Sequence, residues 1–246
     1  MRLSIQEVAR KAGTAKDLDA FWRLIHDQLV VRGASSALFG VLASRRELEH
    51  MKLSKALIWR SSHSREFLEA FDADEIVDND RTAGHCVADS EVMFWHDPRH
   101  WQDATPAEIK RAQKERDLGL AIGFTVPSSH FFPDQVGGAG ISMPDVPLRE
   151  FGRFWKEEGR ELVTLCGILD AGMRGQHLAE LVNLSAREKE CLTWLAVGLR
   201  PDRIADRLGV GDKAVEKYVN GARRKLKAAT RDHAVAKALM LGLIEP

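Results

Sequence analysis

The 246-residue sequence has three cysteines, one tyrosine and no long apolar run. Cys86, Cys166 and Cys191 lie far apart and form no CxxC pair, which predicts reduced thiols and excludes a disulfide framework or a cysteine zinc site. The longest apolar stretch, Leu118–Val126, is too short to cross a bilayer. The first residues lack the apolar core of a secretory signal. We therefore expect a cytoplasmic protein without membrane contact.

Signatures of common enzymes and phosphate-binding proteins are also missing. The sequence has no GxSxG elbow, no HExxH pair and no GxxxxGK[ST] loop, and its glycine-rich stretch VGGAGIS contains no lysine. His96 and His100 stand four residues apart, but Pro98 between them argues against a helix that would bring both to one metal ion. We therefore expect no enzyme activity, no metal site and no cofactor.

Charge is distributed unevenly along a chain whose net charge is zero. Residues 184–246 contain 13 Lys and Arg against 8 Asp and Glu, whereas the rest contains 23 against 28. A basic end on an acidic body favours a nucleic-acid partner for that end, although chance sorting of charges is an alternative.

Residues 1–175 alternate between helical and strand-like patterns. Apolar residues recur at helical spacing near 15–32 and 146–171, and Thr105, Pro106 and Glu108 form the capping box of another helix. Further helices are predicted near 64–71 and 82–88. The strand-like runs are Ala37–Ala43, Lys55–Arg60, Val92–Trp95, Ala121–Val126 and Ala139–Met143, and a polar and aromatic loop is predicted at Pro127–Gly138, between the last two. This order predicts the α/β class, with an N-terminal α/β/α sandwich. A linker is predicted at 176–182.

Residues 183–246 predict an all-α domain of four short helices. Ser185 and Glu188 form a capping box, Pro201 opens the second helix and Gly209 closes it. Asp212 is predicted to cap the third helix. The fourth helix is expected to cover the core with Ala234, Ala238, Leu239 and Leu241.

The second and third of these helices, joined by a tight turn, predict a helix-turn-helix domain. The third helix would then enter the major groove of double-stranded DNA. Its outward side carries the predicted DNA-binding residues Lys213, Lys217, Asn220, Arg223 and Arg224. An ordinary solvated face is the alternative.

The segment from LSAREKECLTWLAVGLRPDRIADRLGVG to the end of MLGLI resembles the DNA-binding domain of LuxR-type regulators over its whole length. Among the matching positions are Arg187, Glu188, Gly198, Val215 and Lys225. Two positions depart from the family pattern. Ala214 replaces a hydroxyl residue and Glu216 replaces a Lys or Arg, which should weaken phosphate contact at the start of the reading helix.

FLEAFDADEIVDNDRTAGHCVADSEVMFW resembles the pocket segment of acyl-homoserine-lactone receptors, and GLAIGFTVP and GGAGISM fit their later strands. The resemblance implies that Asp80 accepts the amide N–H of a lactone and that Trp95 packs on its ring, with Gly123 matching a family glycine. Ser142 of the last strand is included in the predicted ligand site.

The family's lactone-binding Trp falls on Phe67, and its Tyr positions fall on His63 and Phe71. These three residues complete the predicted ligand site, in which His63 could replace a lost hydrogen-bond donor. Other roles stay open: Asp80 as the cap of a helix from Thr82, Trp95 as a core aromatic and His63 as a surface residue.

The resemblance implies a homodimeric transcription regulator controlled in quorum sensing by an acyl-homoserine lactone or a similar small amphiphile. The helices near 18–30 and 146–171 are the predicted dimer contacts. The first alternative is a ligand-independent regulator with an altered pocket. The second is a protein that binds no DNA and pairs with a related regulator.

Overall fold

The computed structural model describes residues 1–71 and 77–246. It divides into two compact units, Met1–Met173 and Arg174–Pro246. In the described residues, no helix is both long and apolar enough to cross a membrane.

The first unit is built on a five-stranded antiparallel sheet with the strand order β2-β1-β5-β4-β3. The strands are β1 (Ser36–Leu42), β2 (Ile58–Ser61), β3 (Met93–Phe94), β4 (Gly123–Pro127) and β5 (Val136–Ser142). Its helices are α1 (Ile5–Ala12), α2 (Leu18–Val30), α3 (Leu53–Ala56), α4 (Arg65–Ala70), α5 (Arg81–Ala88), α6 (Pro106–Asp117) and α7 (Leu148–Gly172). Short 3-10 turns lie at Arg45–Glu49, Pro98–Trp101 and Ser128–His130.

Helices pack on both faces of this sheet. Helix α2 contacts β1, and helix α7 contacts β5. Trp155 of α7 also packs edge-on against Phe124 of β4, with ring centroids 4.9 Å apart. Helix α5 contacts β4 and β5. Its Cys86 lies beside Gly138, whose neighbours along β5 point to the other face. The unit is therefore the α/β/α sandwich predicted from sequence.

Arg32, two residues after the end of α2, connects three segments of the first unit through the hydrogen bonds of its guanidinium. Its side chain is fully buried, and its Nε donates to Glu161 of α7 at 2.8 Å. The remaining nitrogens donate to the carbonyl oxygen of Gln28 at 2.9 Å and that of Leu3 at 2.7 Å. One guanidinium thus holds the N-terminal segment, α2 and α7 together.

The second unit is helical throughout its core. A π-helical turn, Met173–His177, precedes α8 (Leu178–Val182), α9 (Ala186–Ala196), α10 (Pro201–Leu208), α11 (Asp212–Lys225) and α12 (Arg231–Met240). The predicted Ser185–Glu188 capping box is present on α9. Gly209 ends α10 in the left-handed conformation, at φ 65°, which glycine adopts without strain. Residues 176–182, predicted as a linker, are largely helical.

Four details of the sequence prediction were wrong. Gly211, not Asp212, is the N-cap of α11, and Asp212 is the first helical residue. Leu239 was expected in the core but is 40% exposed. The run Lys55–Arg60 is not one strand, because Leu53–Ala56 is helical and β2 begins at Ile58. The loop predicted at Pro127–Gly138 contains a 3-10 turn and the first residues of β5.

Candidate functional site

A cavity lies between one face of the sheet and α5 and α6. Its volume is about 80 Å³. Since one water needs roughly 10–15 Å³ on this measure, the cavity is larger than a packing defect. Its apolar lining includes Leu38, Leu42, Leu53, Leu57, Phe67, Ala83, Val87, Ala112 and Leu120.

Glycines form the floor of this cavity. Gly40 of β1 and Gly138 and Gly140 of β5 share the inner face, and β1 and β5 pair so that Gly40 lies opposite Gly138. A side chain on Gly138 would collide with the Val126 carbonyl and Cys86. At Gly138 the backbone of β5 therefore sets the depth of the cavity.

Four of the six residues predicted to bind ligand line this cavity: His63, Phe67, Asp80 and Trp95. Phe71 is buried behind Phe67, with ring centroids 5.0 Å apart, and lies outside the lining. Ser142 is fully buried at the end of β5 and also lies outside it. The pocket segment that carried the resemblance includes residues 72–76, which lie outside the described residues.

Asp80 combines a structural role with a place on the cavity wall. Its Oδ1 accepts from the backbone N–H groups of Thr82 at 2.8 Å and Ala83 at 3.2 Å, so it is the N-cap of α5. Its Oδ2 lies 3.9 Å from Nη2 of Arg111. The helix-cap alternative is therefore correct, and it leaves one carboxylate oxygen on the side of Arg111.

The two tryptophans of the cavity use their indole N–H groups within the protein. Trp95 donates to Oγ1 of Thr125 at 2.8 Å, and Trp101 donates to the Trp95 carbonyl at 2.8 Å. The Trp95 ring lies where a side chain on Gly123 would be, which gives that glycine a packing role. The Trp95 ring is thus held in one orientation and forms part of the cavity wall.

His63 stacks on Phe67, with ring centroids 4.3 Å apart. Oγ of Ser61 accepts the backbone N–H of His63 at 3.0 Å and lies 2.6 Å from Nδ1 of its ring. The Ser61 hydroxyl can therefore donate a hydrogen bond to Nδ1. This favours the tautomer in which His63 carries its ring proton on Nε2. Burial lowers the pKa of His63 to about 4, so the ring is neutral near pH 7.

The neutral state of His63 should make the fold sensitive to acid. A lowered pKa contributes stability that is present above the ordinary value of 6.5 and is lost as pH falls toward 4. Between about pH 7 and pH 5 we expect the wild type to lose about 2 kcal/mol of unfolding free energy more than His63→Gln does. Urea denaturation measures this, with exposed His50→Gln as control. Equal losses in wild type and His63→Gln would contradict it.

Arg111 and Glu115, which sequence reasoning missed, bring further charge into the cavity. Both are on α6, and Arg111 Nη2 lies 3.0 Å from Oε1 of Glu115. The Arg111 guanidinium also stacks over the Phe71 ring, 4.0 Å from its centroid. Burial, followed by the nearby Asp80 carboxylate, raises the pKa of Glu115 to about 7. An i,i+4 pair of this kind usually lies on a solvated face, so sequence alone gave no signal.

The second unit presents a basic surface on α11. Lys213, Lys217 and Arg224 are exposed, whereas Asn220 and Arg223 are half-buried. On the inner side, Val215 and Val219 pack with Ile204 and Ala205 of α10. Helix α11 is therefore anchored through its apolar side, with the predicted DNA-binding residues on the remainder.

The start of α11 also carries an acidic side chain. Glu216 is exposed, between the exposed Lys213 and Lys217. At the base of the helix, Lys225 donates to Glu188 and to the Asn183 carbonyl, each at 2.7 Å. Lys225 is thus engaged within the unit.

Comparison with known proteins agrees with this geometry. Residues 182–238 match the family model described as "Bacterial regulatory proteins, luxR family". VjbR of Brucella ovis, a quorum sensing-dependent transcriptional regulator, is 32% identical over 145 residues, which are 58% of this chain and 56% of VjbR. RpaR of Rhodopseudomonas palustris, also named as such a regulator, is 27% identical over 187 residues, covering 73% of this chain and 72% of RpaR. The chain thus spans little more than half the length of VjbR.

SdiA shares the fold. The crystal structure of Escherichia coli SdiA has a TM-score of 0.53 and 16% identity, with 98% of each chain covered. SdiA in complex with octanoyl-rac-glycerol has the same TM-score at 17% identity, covering 100% of this chain and 99% of SdiA. Residues 182–238 in the C-terminal unit therefore match the luxR family of bacterial regulatory proteins, and the chain is similar to VjbR and RpaR over the spans given above.

Proposed function

We propose that this protein is a DNA-binding transcription regulator of the LuxR type, controlled by a small amphiphile that occupies the cavity of the first unit. The observation that carries the proposal is the luxR-family domain whose α11 exposes Lys213, Lys217 and Arg224. A helix of this width fits the major groove, and cations on its surface neutralise phosphates. Like other regulators of this architecture, the protein would act in the cytoplasm as a homodimer on paired half-sites.

The cavity supports control by an acyl-homoserine lactone or a similar amphiphile. It combines a long apolar lining with a few polar groups at one place, which is the usual composition of a small-molecule site. The SdiA complex contains an amphiphile of this kind, octanoyl-rac-glycerol. A ligand bound only by the folded, dimer-competent state would stabilise that state by mass action.

The alternatives are less well supported. The exposed cations of α11 favour a protein that binds DNA over one that does not. The cavity favours a ligand-controlled regulator over a ligand-independent one. Phe67 removes one hydrogen-bond donor that a lactone would use, at a cost of roughly 1–3 kcal/mol. His63 lines the same cavity and supplies a donor from its ring.

DNA binding is tested by fluorescence anisotropy with a labelled random duplex. We expect affinity to fall steeply between about 50 and 200 mM salt, and Lys217→Ala to weaken binding and reduce the salt slope by about 1. Lys189→Ala on α9 serves as control. Absence of salt-dependent binding by folded wild-type protein would overturn the DNA-binding proposal.

Ligand control is tested by thermal melts with a panel of acyl-homoserine lactones and acylglycerols of different chain length. A rise of several degrees with one chain length would support a sensing cavity. No shift with any lactone, in protein that still binds DNA, would exclude lactones and leave the acylglycerols and other amphiphiles. Size-exclusion chromatography with light scattering tests the homodimer.

A further inference from the structure

Among the described residues, the buried polar end of the cavity contains two carboxylates and one guanidinium. Arg111 is 7% exposed, and two carboxylates face it: Glu115 at 3.0 Å and Asp80 at 3.9 Å. These carboxylates are 18% and 15% exposed. Because solvent screens such groups poorly, the attraction and repulsion among them are much stronger than at the surface.

Neighbouring charged groups do not restore the balance. Asp78 accepts from the backbone N–H and the hydroxyl of Ser54 and lies 3.8 Å from the exposed Lys52. Lys114 of α6 is directed to the Phe71 ring and the Ala70 carbonyl. Arg116 lines the opening and attracts the Glu115 carboxylate, but it is exposed, so solvent screens this attraction.

The remaining titratable groups of the lining are uncharged. Burial lowers the pKa of His63, which leaves its ring neutral. On α5, burial raises the pKa of the Cys86 thiol, so that it stays protonated. Among the described residues, two carboxylates therefore share one buried guanidinium.

One negative charge at this end can be neutralised in two ways. Glu115 can take up a proton, because burial and the nearby Asp80 carboxylate raise its pKa to about 7. Alternatively, a positively charged group can enter the cavity beside the carboxylates. An anionic head group would meet the repulsion of both Asp80 and Glu115.

We propose that the cavity binds an amphiphile with a protonated amine head group, which lies beside Asp80 and Glu115 while its hydrocarbon tail packs on the apolar lining. The inference rests on the proposed function, since it takes this cavity as the ligand site, and it narrows the ligand class. The ammonium donates hydrogen bonds to the two carboxylates and compensates the excess charge. On binding, Glu115 releases its proton to solvent, and no covalent bond changes.

The proposal predicts a specific pH dependence. An alkylamine stays protonated up to about pH 10, so its own charge does not change between pH 6 and 8. Because burial and the nearby Asp80 carboxylate raise the pKa of Glu115 to about 7, its carboxyl is mostly protonated at pH 6 and mostly ionised at pH 8. Because apparent affinity scales with the competent fraction, the amine should bind about tenfold more tightly at the higher pH.

Isothermal titration calorimetry on the full chain tests this with three eight-carbon probes: octylamine, octanamide and octanoate. We expect octylamine to bind most tightly, with affinity about tenfold higher at pH 8 than at pH 6. At the midpoint, titrations in buffers with different ionisation enthalpies should reveal release of about half a proton. Binding of octanamide or octanoate as tight as that of octylamine, or octylamine affinity independent of pH, would overturn the proposal.

Glu115→Gln separates this effect from a general affinity for alkyl chains. The variant should bind octylamine at least tenfold more weakly at pH 8 and lose the pH dependence and the proton release. Glu69→Gln, in an exposed ion pair with Arg65 on α4, is the matched control and should behave as wild type. Circular dichroism confirms folding. Unchanged proton release in Glu115→Gln would contradict the assignment. The DNA titration is independent, so failure of either proposal is recognised separately.

Discussion

Glu216→Lys should raise the affinity for duplex DNA about eightfold at about 0.1 M salt for each additional phosphate that the lysine neutralises, and steepen the salt slope by about 0.9 per phosphate. Glu216 is exposed at the start of α11, between Lys213 and Lys217, so the wild-type carboxylate repels phosphates that approach this turn. The substitution replaces repulsion with attraction. Anisotropy titrations over a range of salt concentrations measure both quantities.

The control for Glu216→Lys is the same charge change on another helix. Glu190 of α9 is exposed and paired with Arg187, 2.8 Å away. Glu190→Lys should raise affinity by the general effect of net charge alone, with little change in slope. If both variants behave alike, Glu216 is not at the DNA interface and α11 does not bind as proposed.

Arg32→Met should lower the unfolding free energy by about 2–4 kcal/mol, because the buried carbonyl oxygens of Leu3 and Gln28 each lose a hydrogen bond. The variant deprives Leu3, Gln28 and Glu161 of a shared donor in the interior of the first unit. For a unit of this size, the melting temperature should fall by roughly 10 °C.

Calorimetry and urea denaturation measure the effect of Arg32→Met. Arg23→Met on α2 is the control, because Arg23 is exposed and its Nε donates to the Asp19 carbonyl within the same helix. It should change stability by less than about 0.5 kcal/mol. If Arg32→Met lowers the unfolding free energy by no more than Arg23→Met does, the hydrogen bonds of Arg32 do not hold the N-terminal segment in place.

Local signals made the second unit predictable. The capping box at Ser185, the proline at the start of α10 and the left-handed Gly209 act within one turn of the chain, so sequence determines them. Leu239 was misplaced because helical periodicity gives the apolar side of a helix and not its edge. Asp212 resembled an N-cap, but the preceding glycine occupies that position.

Residues of the cavity could be predicted only where the resemblance to lactone receptors aligned this sequence with known pocket positions. His63, Phe67, Asp80 and Trp95 were located in this way and do line it. The Arg111–Glu115 pair was missed, because the same two residues at the same spacing on an exposed helix would look identical in sequence. Their burial follows from the way α6 covers the sheet, a tertiary property that no local pattern reports.

The glycine floor of β5 implies that the cavity can be resized at one position. A methyl group on Gly138 would collide with the Val126 carbonyl oxygen, and one on Gly40 would displace the end of the Leu57 side chain. On Gly140 it would meet the Trp95 ring at 3.5 Å and Oγ1 of Thr125 at 3.8 Å, both ordinary contacts. The side chain placed at position 140 can therefore determine how far a ligand tail extends into the cavity. Alanine and serine there would shorten the accepted chain in small steps, which offers a route to engineered sensors graded by chain length.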